Sequence, residues 1–555
     1  MGAYLNSKNP FGLFSDEASG TYFVDKSSIL DELIPLASAN NNTIQPGEYA
    51  KGRSNKFICI TRPRRFGKTV AASMIASFFS KGINSRDLFR NLKIGQSVNF
   101  ESHINKHNVI YISFNEIPQN CTTYQQYINR IEKRLHNDLR KAFPQIKSDD
   151  TVAVWDLLGD IYEEEDARFI FVLDEWDYIF HRSFVTAKDQ ENFIEFLSNL
   201  LKGKAYVEFA YMTGILPIAK YSSGSELNMF YEYTMVTEDR YSEYFGFSEQ
   251  EVDTLFERYQ VQVQENQKVT REGLRIWYDG YHTKSGIRVY NPRSVVASLT
   301  NNNLGNYWTS SGPYDEIFYY IKENLNAVRN DLILLISGIP VAAKIQEYAA
   351  TSMTLNTKDE IFSAMVVYGF LNYDNGCVSI PNKELMDKFD DMLRKETSLG
   401  YVYRLAKESE RMLQATKMGD IDVIIEILEH VHNTEVPLLS YSNEAELTMI
   451  VNLVYLSARD QYRIEREDKA GIGYVDFIFY PLRKDDDCII LELKVDHTAE
   501  EAIQQIKERK YMLKFEGYLG EAKKYTGRIL AVGMAYHKSD KRHDCKIEIL
   551  RDRLL

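Results

Sequence analysis

The sequence predicts an α/β protein in three parts: a parallel sheet with crossover helices, a helical middle, and a second, smaller α/β module. Three observations predict it. Short β-rich runs alternate with helical patterns as far as about residue 235, which is how strands joined by crossover helices read. From Ser248 to about His430 the pattern is mostly helical, and after about Pro437 strands return. The expected boundaries are 1–235, 236–435 and 436–555.

Length agrees with this division: 555 residues suggest about three domains at roughly 100–200 residues each. A content of 44% hydrophobic and 26% charged residues is that of a globular protein. The net charge of -13 argues against a uniformly basic nucleic-acid coat, but leaves room for a local basic patch. The five cysteines are scattered, odd in number and without a CxxC pair. That excludes a disulfide framework or zinc site as an expectation and points to a reducing cytoplasm. Residues 1–20 lack a basic segment followed by an apolar one, and the longest apolar stretches, 169–173 and 364–371, are too short to span a bilayer. A soluble cytoplasmic chain with no membrane partner is expected.

In the first part, strands are expected at 57–61, 109–114, 169–174 and 206–213. The first runs into Thr61-Arg62-Pro63-Arg64-Arg65-Phe66-Gly67-Lys68-Thr69, and an apolar helix follows, with Val70, Ala71, Met74, Ile75, Phe78 and Phe79 at helical spacing. Strand, loop, Gly-Lys-Thr and helix form the context of a P-loop. Backbone N–H groups of Arg65, Phe66 and Gly67 and of the helix start would surround phosphates. Lys68 would meet the β- and γ-phosphates of ATP, and Thr69 would ligate Mg²⁺. Where the full pattern has glycine, six positions before Lys68, stands Arg62.

The apolar run 169–173 ends in Asp174-Glu175. A parallel strand delivers its C-terminal end to the sheet edge where ligands bind. There Asp174 would hold Mg²⁺, and Glu175 would orient and deprotonate the attacking water. Each half alone is common; their joint occurrence about 105 residues apart points to ATP hydrolysis. Thr213, at the end of the next strand, is either a sensor of the γ-phosphate or a β-branched packing residue. Arg62, Arg64, Arg65, Arg182 and Arg240 all stay open as an arginine finger or as surface charges.

The middle part opens with a capping box, Ser248 and Glu251. Further helical stretches are expected at 314–324, 358–367 and 415–430, with polar loops at 40–47 and 301–312. The aromatic density of residues 277–281 reads as packing. This part is expected to be a lid or link.

In the last part a helix is expected over 443–458, strands over 473–480 and 487–495, a helix over 498–514 and a strand over 527–534. Period two puts Ile490, Glu492 and Lys494 on one strand face. Two charges on an apolar strand need a reason. One is a Glu–Lys salt bridge on an edge strand. The other is a metal site, in which Asp476 and Glu492 bind Mg²⁺ with the Leu493 carbonyl. Lys494 would then activate a water and stabilise transition-state charge. Glu444 and Glu446 on the helix before, and Gln505 and Tyr511 after, are candidate accessory residues.

Several segments together carry a resemblance across nearly the whole chain. They are Tyr22-Phe23-Val24-Asp25-Lys26, the Arg-Pro-Arg-Arg-Phe-Gly-Lys-Thr string of residues 62–69, and Leu173-Asp174-Glu175. They continue with Tyr244-Phe245-Gly246-Phe247-Ser248, Trp277-Tyr278-Asp279-Gly280-Tyr281, Tyr290-Asn291-Pro292, and Glu492-Leu493-Lys494 with Gln505-Ile506. The sequence resembles the bacterial family that pairs an AAA-ATPase-like domain with a C-terminal PD-(D/E)XK nuclease-superfamily domain. The resemblance implies an AAA-like P-loop NTPase sheet, the helical middle, and a restriction-endonuclease-like α/β domain. It makes Arg62 the family's own loop variant. It gives Lys68, Thr69, Asp174 and Glu175 the ATPase roles and Asp476, Glu492 and Lys494 the nuclease roles. The family often has Gly-Arg before a Val- or Ile-Asp; here Gly473-Tyr474-Val475-Asp476 lacks that basic residue. Two readings of function follow. One is an ATPase coupled to a Mg²⁺-dependent nuclease acting on DNA, in defence or mobile-element control. The other is an ATP-driven switch or scaffold whose inactive nuclease-like domain only binds nucleic acid or protein. A homo-oligomer, built through the C-terminal module, is a further candidate.

Overall fold

The structure, a computed structural model, describes residues 2–37, 56–149, 151–218, 226–308, 325–336, 338–345, 355, 357–395, 401–435, 444–470, 473–516 and 525–554. The chain divides into two compact units, Met1–Asn324 with Ala342–Leu385 and Leu325–Val341 with Met386–Leu555. The stretch 236–435, expected as one linking domain, is thus shared between them. No helix among the described residues is long and apolar enough to cross a membrane.

The first unit is built on an all-parallel sheet of β1 (Phe57–Thr61), β2 (Asn108–Ser113), β3 (Phe169–Asp174), β4 (Val207–Gly214) and β5 (Tyr231–Tyr233), in the order β2-β3-β4-β1-β5. The first four strands are almost wholly buried, as strands covered on both faces must be, so their apolar runs were legible. Helix α1 (Lys68–Phe79) packs on one face, where Ala72, Ile75, Phe78 and Phe79 meet Ile58, Tyr111, Val172 and Tyr211. β4 lies between β1 and β3. The ends of the P-loop strand and of the Asp174 strand therefore flank Thr213, which pairs with both Ile60 and Asp174.

The helical part of this unit behaves as its caps predict. Ser248 and Glu251 close a reciprocal box at the start of α2 (Glu249–Val263), and Asn291 caps α3 (Pro292–Asn301) with proline at its first turn. Residues 277–281 do pack: Tyr278 is buried beside Tyr259 and Tyr290. They also brace the P-loop. The Tyr281 ring stands edge-on to Phe66 at 5.1 Å, and its hydroxyl donates to the Gly369 carbonyl at 2.9 Å. Gly280 (φ 105°) lies so close to the Pro381 carbonyl oxygen that a Cβ would sit 1.9 Å from it, so only glycine fits.

Helix Lys358–Tyr368 is close to expectation. The single helix expected over 415–430 is instead two, Tyr401–Met418 and Ile421–Glu435. Gly419 (φ 75°) ends the first in the left-handed region. The stretches 40–47 and 314–324 lie outside the described residues.

The second unit contains α4 (Glu444–Val454) and a mixed sheet of β6 (Tyr462–Ala470), β7 (Gly473–Pro481), β8 (Cys488–Val495), β9 (Ile529–His537) and β10 (Arg542–Arg551), paired in sequence order. Only β8 and β9 are parallel, and α5 (Ala499–Glu508) is the crossover such a pair requires. The helix expected to run to residue 514 stops early. Lys510 takes φ 54°, and a 3₁₀ turn, Tyr511–Glu516, brings Tyr511 back towards β8.

Candidate functional sites

The first site is a cavity of about 770 Å³ in the first unit, within the range of small-molecule sites. Arg64, Arg65, Phe66, Gly67, Lys68 and Thr69 line it on one side and Glu175 and Asp177 on another. Arg65 (φ 71°) and Gly67 (φ 88°) both take the left-handed conformation. The loop thereby folds over the N-terminus of α1, whose free N–H groups suit phosphate. Lys68 is buried, and its Nζ donates to the carbonyls of Arg62 (2.9 Å) and Pro63 (2.8 Å). Burial lowers its pKa to about 8, opposed by the carboxylates of Asp177, Glu175 and Asp174.

Asp174 is fully buried, and neither carboxylate oxygen has a hydrogen bond of normal geometry. Burial pushes its pKa up to about 7 and the neighbouring Glu175 adds to the rise, while the Thr69 hydroxyl and Lys68 pull it back. Glu175 follows with φ 51°, a strained conformation for a residue with a side chain. The strain is held from behind. Asp177 accepts from the backbone N–H groups of Ile215 (3.0 Å) and Leu216 (2.9 Å), and Trp176 Nε1 donates to the Leu216 carbonyl. Gly214 permits this approach, since a Cβ there would lie 2.5 Å from both Trp176 and Asp177. Thr213 is fully buried, and its hydroxyl donates to the Ile60 carbonyl at 2.9 Å. In this conformation it ties β4 to β1.

Arg62 explains the missing glycine. Its guanidinium is buried, donates to the carbonyls of Thr61 (2.8 Å) and Tyr233 (2.7 Å), and lies over the Phe245 ring. It points away from the phosphate cradle and ties the loop to β5. Replacing Arg62 by glycine, which restores the ordinary pattern, is expected to destabilise the chain by about 2–4 kcal/mol rather than improve ATP binding. Denaturant unfolding checks this; an unchanged midpoint would contradict the brace. Among the other arginines, Arg240 pairs with Glu32 at 3.2 Å, while Arg64, Arg65, Arg182 and Arg293 line the cavity. Asp177 and Arg293 carry no motif signal of their own; the tertiary fold brings them in.

The state of Asp174 has a measurable consequence. Its pKa is higher folded than unfolded, so it costs nothing below about pH 4 and destabilises the folded chain increasingly as pH rises to about 7. Asp174→Asn is expected to stabilise the ligand-free chain at about pH 8 by roughly 2–4 kcal/mol, with the gain vanishing near pH 4. Thermal unfolding in a chelator checks the sign; equal or lower melting of the variant at high pH would contradict it.

The second site lies in the second unit. Asp476 on β7 and Glu492 on β8 face each other one position beyond the paired Phe477 and Leu491. Asp476 Oδ2 accepts from the Leu493 N–H at 2.7 Å. Glu492 is 2% exposed; Oε1 accepts from Gln505 Nε2 and lies 3.5 Å from Lys494 Nζ, while Oε2 is buried without a hydrogen bond. Burial first, and Asp476 second, hold the Glu492 carboxyl well above the usual range, with Lys494 opposing. The structure thus brings Asp476, Glu492, Lys494 and Gln505 together. Tyr511 is buried near the same carboxylate. On the same helix Lys507 pairs with Glu548, and Gln504 with Glu508. Glu444 and Glu446 lie on α4, but their side chains, like that of Tyr474, are outside the described residues.

Comparison with known proteins follows the same division. The family model described as predicted AAA-ATPase matches residues 49–223, and that of the PD-(D/E)XK nuclease superfamily matches residues 442–532. No curated protein matches. Among solved structures, a Walker-type ATPase of Pyrococcus abyssi is 14% identical, over 66% of this chain and 94% of that one, with a TM-score of 0.34. The ORC2 protein of Aeropyrum pernix, in ADPNP and ADP complexes, is 12% identical over 65% and 93%, with a TM-score of 0.33. The ORC1 protein of the same organism, in complex with DNA, is 11% identical over 66% and 91%, with a TM-score of 0.27. Scores at that level transfer no function. Residues 49–223 are thus similar to the predicted AAA-ATPase family and residues 442–532 to the PD-(D/E)XK nuclease superfamily.

Proposed function

We propose that the chain binds and hydrolyses ATP at Lys68 and Thr69, and that its nucleotide state governs Mg²⁺-dependent cleavage of DNA at Asp476, Glu492 and Lys494. One observation carries both halves. Each site holds a buried carboxylate with an oxygen that no hydrogen bond of normal geometry satisfies: both oxygens of Asp174, and Oε2 of Glu492. Such groups are costly unless partnered, and a hard divalent cation is the partner that suits oxygen donors. Thr69 and Asp174 would hold it in one site, Asp476 and Glu492 in the other. When bound, Mg²⁺ supplies Lewis-acid stabilisation of charge on phosphoryl oxygens.

The chain's own residues do the rest. Lys68 exchanges the Arg62 and Pro63 carbonyls for phosphate oxygens, which the N–H groups of Arg65, Phe66 and Gly67 also meet. Glu175 takes a proton from the attacking water. In the second site Gln505 orients Glu492, and Lys494 donates to a phosphate oxygen as negative charge grows there. Residues 236–435 would link the two, with ATP and ADP favouring different arrangements.

The second reading, an ATP switch whose nuclease-like domain only binds its partner, is favoured by Tyr474 standing where the resemblance has arginine. Cleavage of linear, circular and single-stranded DNA in Mg²⁺ or Mn²⁺, with and without ATP, separates the two. Cleavage that exceeds a Lys494→Ala control supports the first. No cleavage above that control on any substrate leaves the second.

A further inference from the structure

The second site has an unassigned cation. Arg509 is at the C-cap of α5, immediately before the left-handed Lys510 that turns the chain back. Its side chain is exposed, and Nη1 donates to the hydroxyl of buried Tyr511 at 3.1 Å. Tyr511 neighbours Gln505, whose amide donates to Glu492. The head of Arg509 is therefore tethered at the rim of the carboxylate pair, close enough to feel both Glu492 and Asp476. Other cations of this face are committed: Lys507 pairs with Glu548, and Lys546 with Glu500 and Glu548. Arg509 forms no ion pair among the described residues.

We propose that Arg509 binds a backbone phosphate of the nucleic acid beside the scissile one, supplying from α5 the positive charge that Tyr474 does not supply from β7. The inference rests on the nuclease reading of this site. A phosphodiester approaching Asp476 and Glu492 meets two carboxylates, and Lys494, lying 3.5 Å from Glu492, offsets only part of that charge. A planar guanidinium held by a neutral hydroxyl keeps donors free for two phosphate oxygens. The plainer alternative is that Arg509 merely complements the C-terminal end of α5. That role would register in stability, not in the salt dependence of binding.

The test uses the full chain. DNA binding is titrated over a range of salt concentrations in the Lys494→Ala variant, with and without Arg509→Ala, and cleavage kinetics are measured for Arg509→Ala and Arg509→Lys alone. Loss of one phosphate contact should make the slope of log affinity against log salt shallower by about 0.9 on duplex or about 0.7 on single-stranded DNA. KM should rise about tenfold with kcat changed far less, and Arg509→Lys should recover most of the slope. An unchanged slope and KM in a chain that cleaves DNA would overturn the role of Arg509 and leave the nuclease reading standing. A wild-type chain that neither binds nor cleaves DNA would overturn both. A lower melting temperature with an unchanged slope would assign Arg509 to the helix end instead.

Discussion

Replacing Lys494 by alanine is expected to lower DNA cleavage by about 10²–10³-fold, with DNA binding reduced far less. The side chain is 18% exposed and lies 3.5 Å from Glu492. Its ammonium does two things from one place. It is the donor aimed at charge that develops on the phosphate, and it opposes the rise of the Glu492 pKa caused by burial and by Asp476. Without it Glu492 holds its proton to higher pH. Residual cleavage by Lys494→Ala should therefore need a more alkaline solution than wild type. Lys494→Arg, which keeps the charge but not its placement, should restore the pH profile better than the rate. A variant that loses rate with no movement of the acidic limb would separate these two roles and leave only the donor. Full activity in Lys494→Ala would remove the nuclease assignment from this strand.

Legibility in the sequence followed burial. β1, β2, β3 and β4 are covered on both faces, so each reads as an unbroken apolar run. The two edge strands of the second sheet did not read. β6 is Tyr-Arg-Ile-Glu-Arg-Glu-Asp-Lys-Ala and β10 is Arg-His-Asp-Cys-Lys-Ile-Glu-Ile-Leu-Arg, because an edge is protected from further pairing by charge. β5 has three residues and no pattern to find. The site residues divided in the same way. Lys68, Thr69, Asp174, Glu175, Asp476, Glu492 and Lys494 lie in local strings where one element ends or alternates; the first four stand at the start of α1 and the end of β3 in the first unit and the last three on β7 and β8 in the second. Asp177 and Arg509 are placed by a partner distant in sequence or by a turn the helical pattern hides: Leu216 N–H for the first, the reversal at Lys510 for the second. The Thr213 hydroxyl was ambiguous in sequence because a β-branched strand end suits both sensing and packing, and its bond to Ile60 could only come from the order of the sheet.

Glu175→Gln is expected to slow ATP hydrolysis by about 10²–10⁴-fold while leaving ATP binding within a few-fold of wild type. The side chain lines the nucleotide cavity but is not among the groups that cradle phosphate. Glutamine keeps its size and can still orient a water; it cannot accept the proton. The backbone supports a catalytic rather than a packing role. A φ of 51° at a residue with a side chain costs free energy, and here it is maintained by Trp176 and Asp177, which tie the following turn to Leu216. Relaxing that conformation would move the carboxylate relative to Asp174 and Lys68, so Glu175→Gly, which relieves the strain, should be at least as inactive as Glu175→Gln although it is no less stable. Asp177→Asn, which loosens the turn but leaves the Glu175 carboxylate in place, should lower the rate less. Lys68→Ala differs from all of these, since it removes a phosphate contact and must weaken binding itself. If Glu175→Gln hydrolysed ATP at the wild-type rate, the general base would have to be sought elsewhere in the cavity, with Asp177 next in line as the carboxylate exerting the largest pull on Lys68.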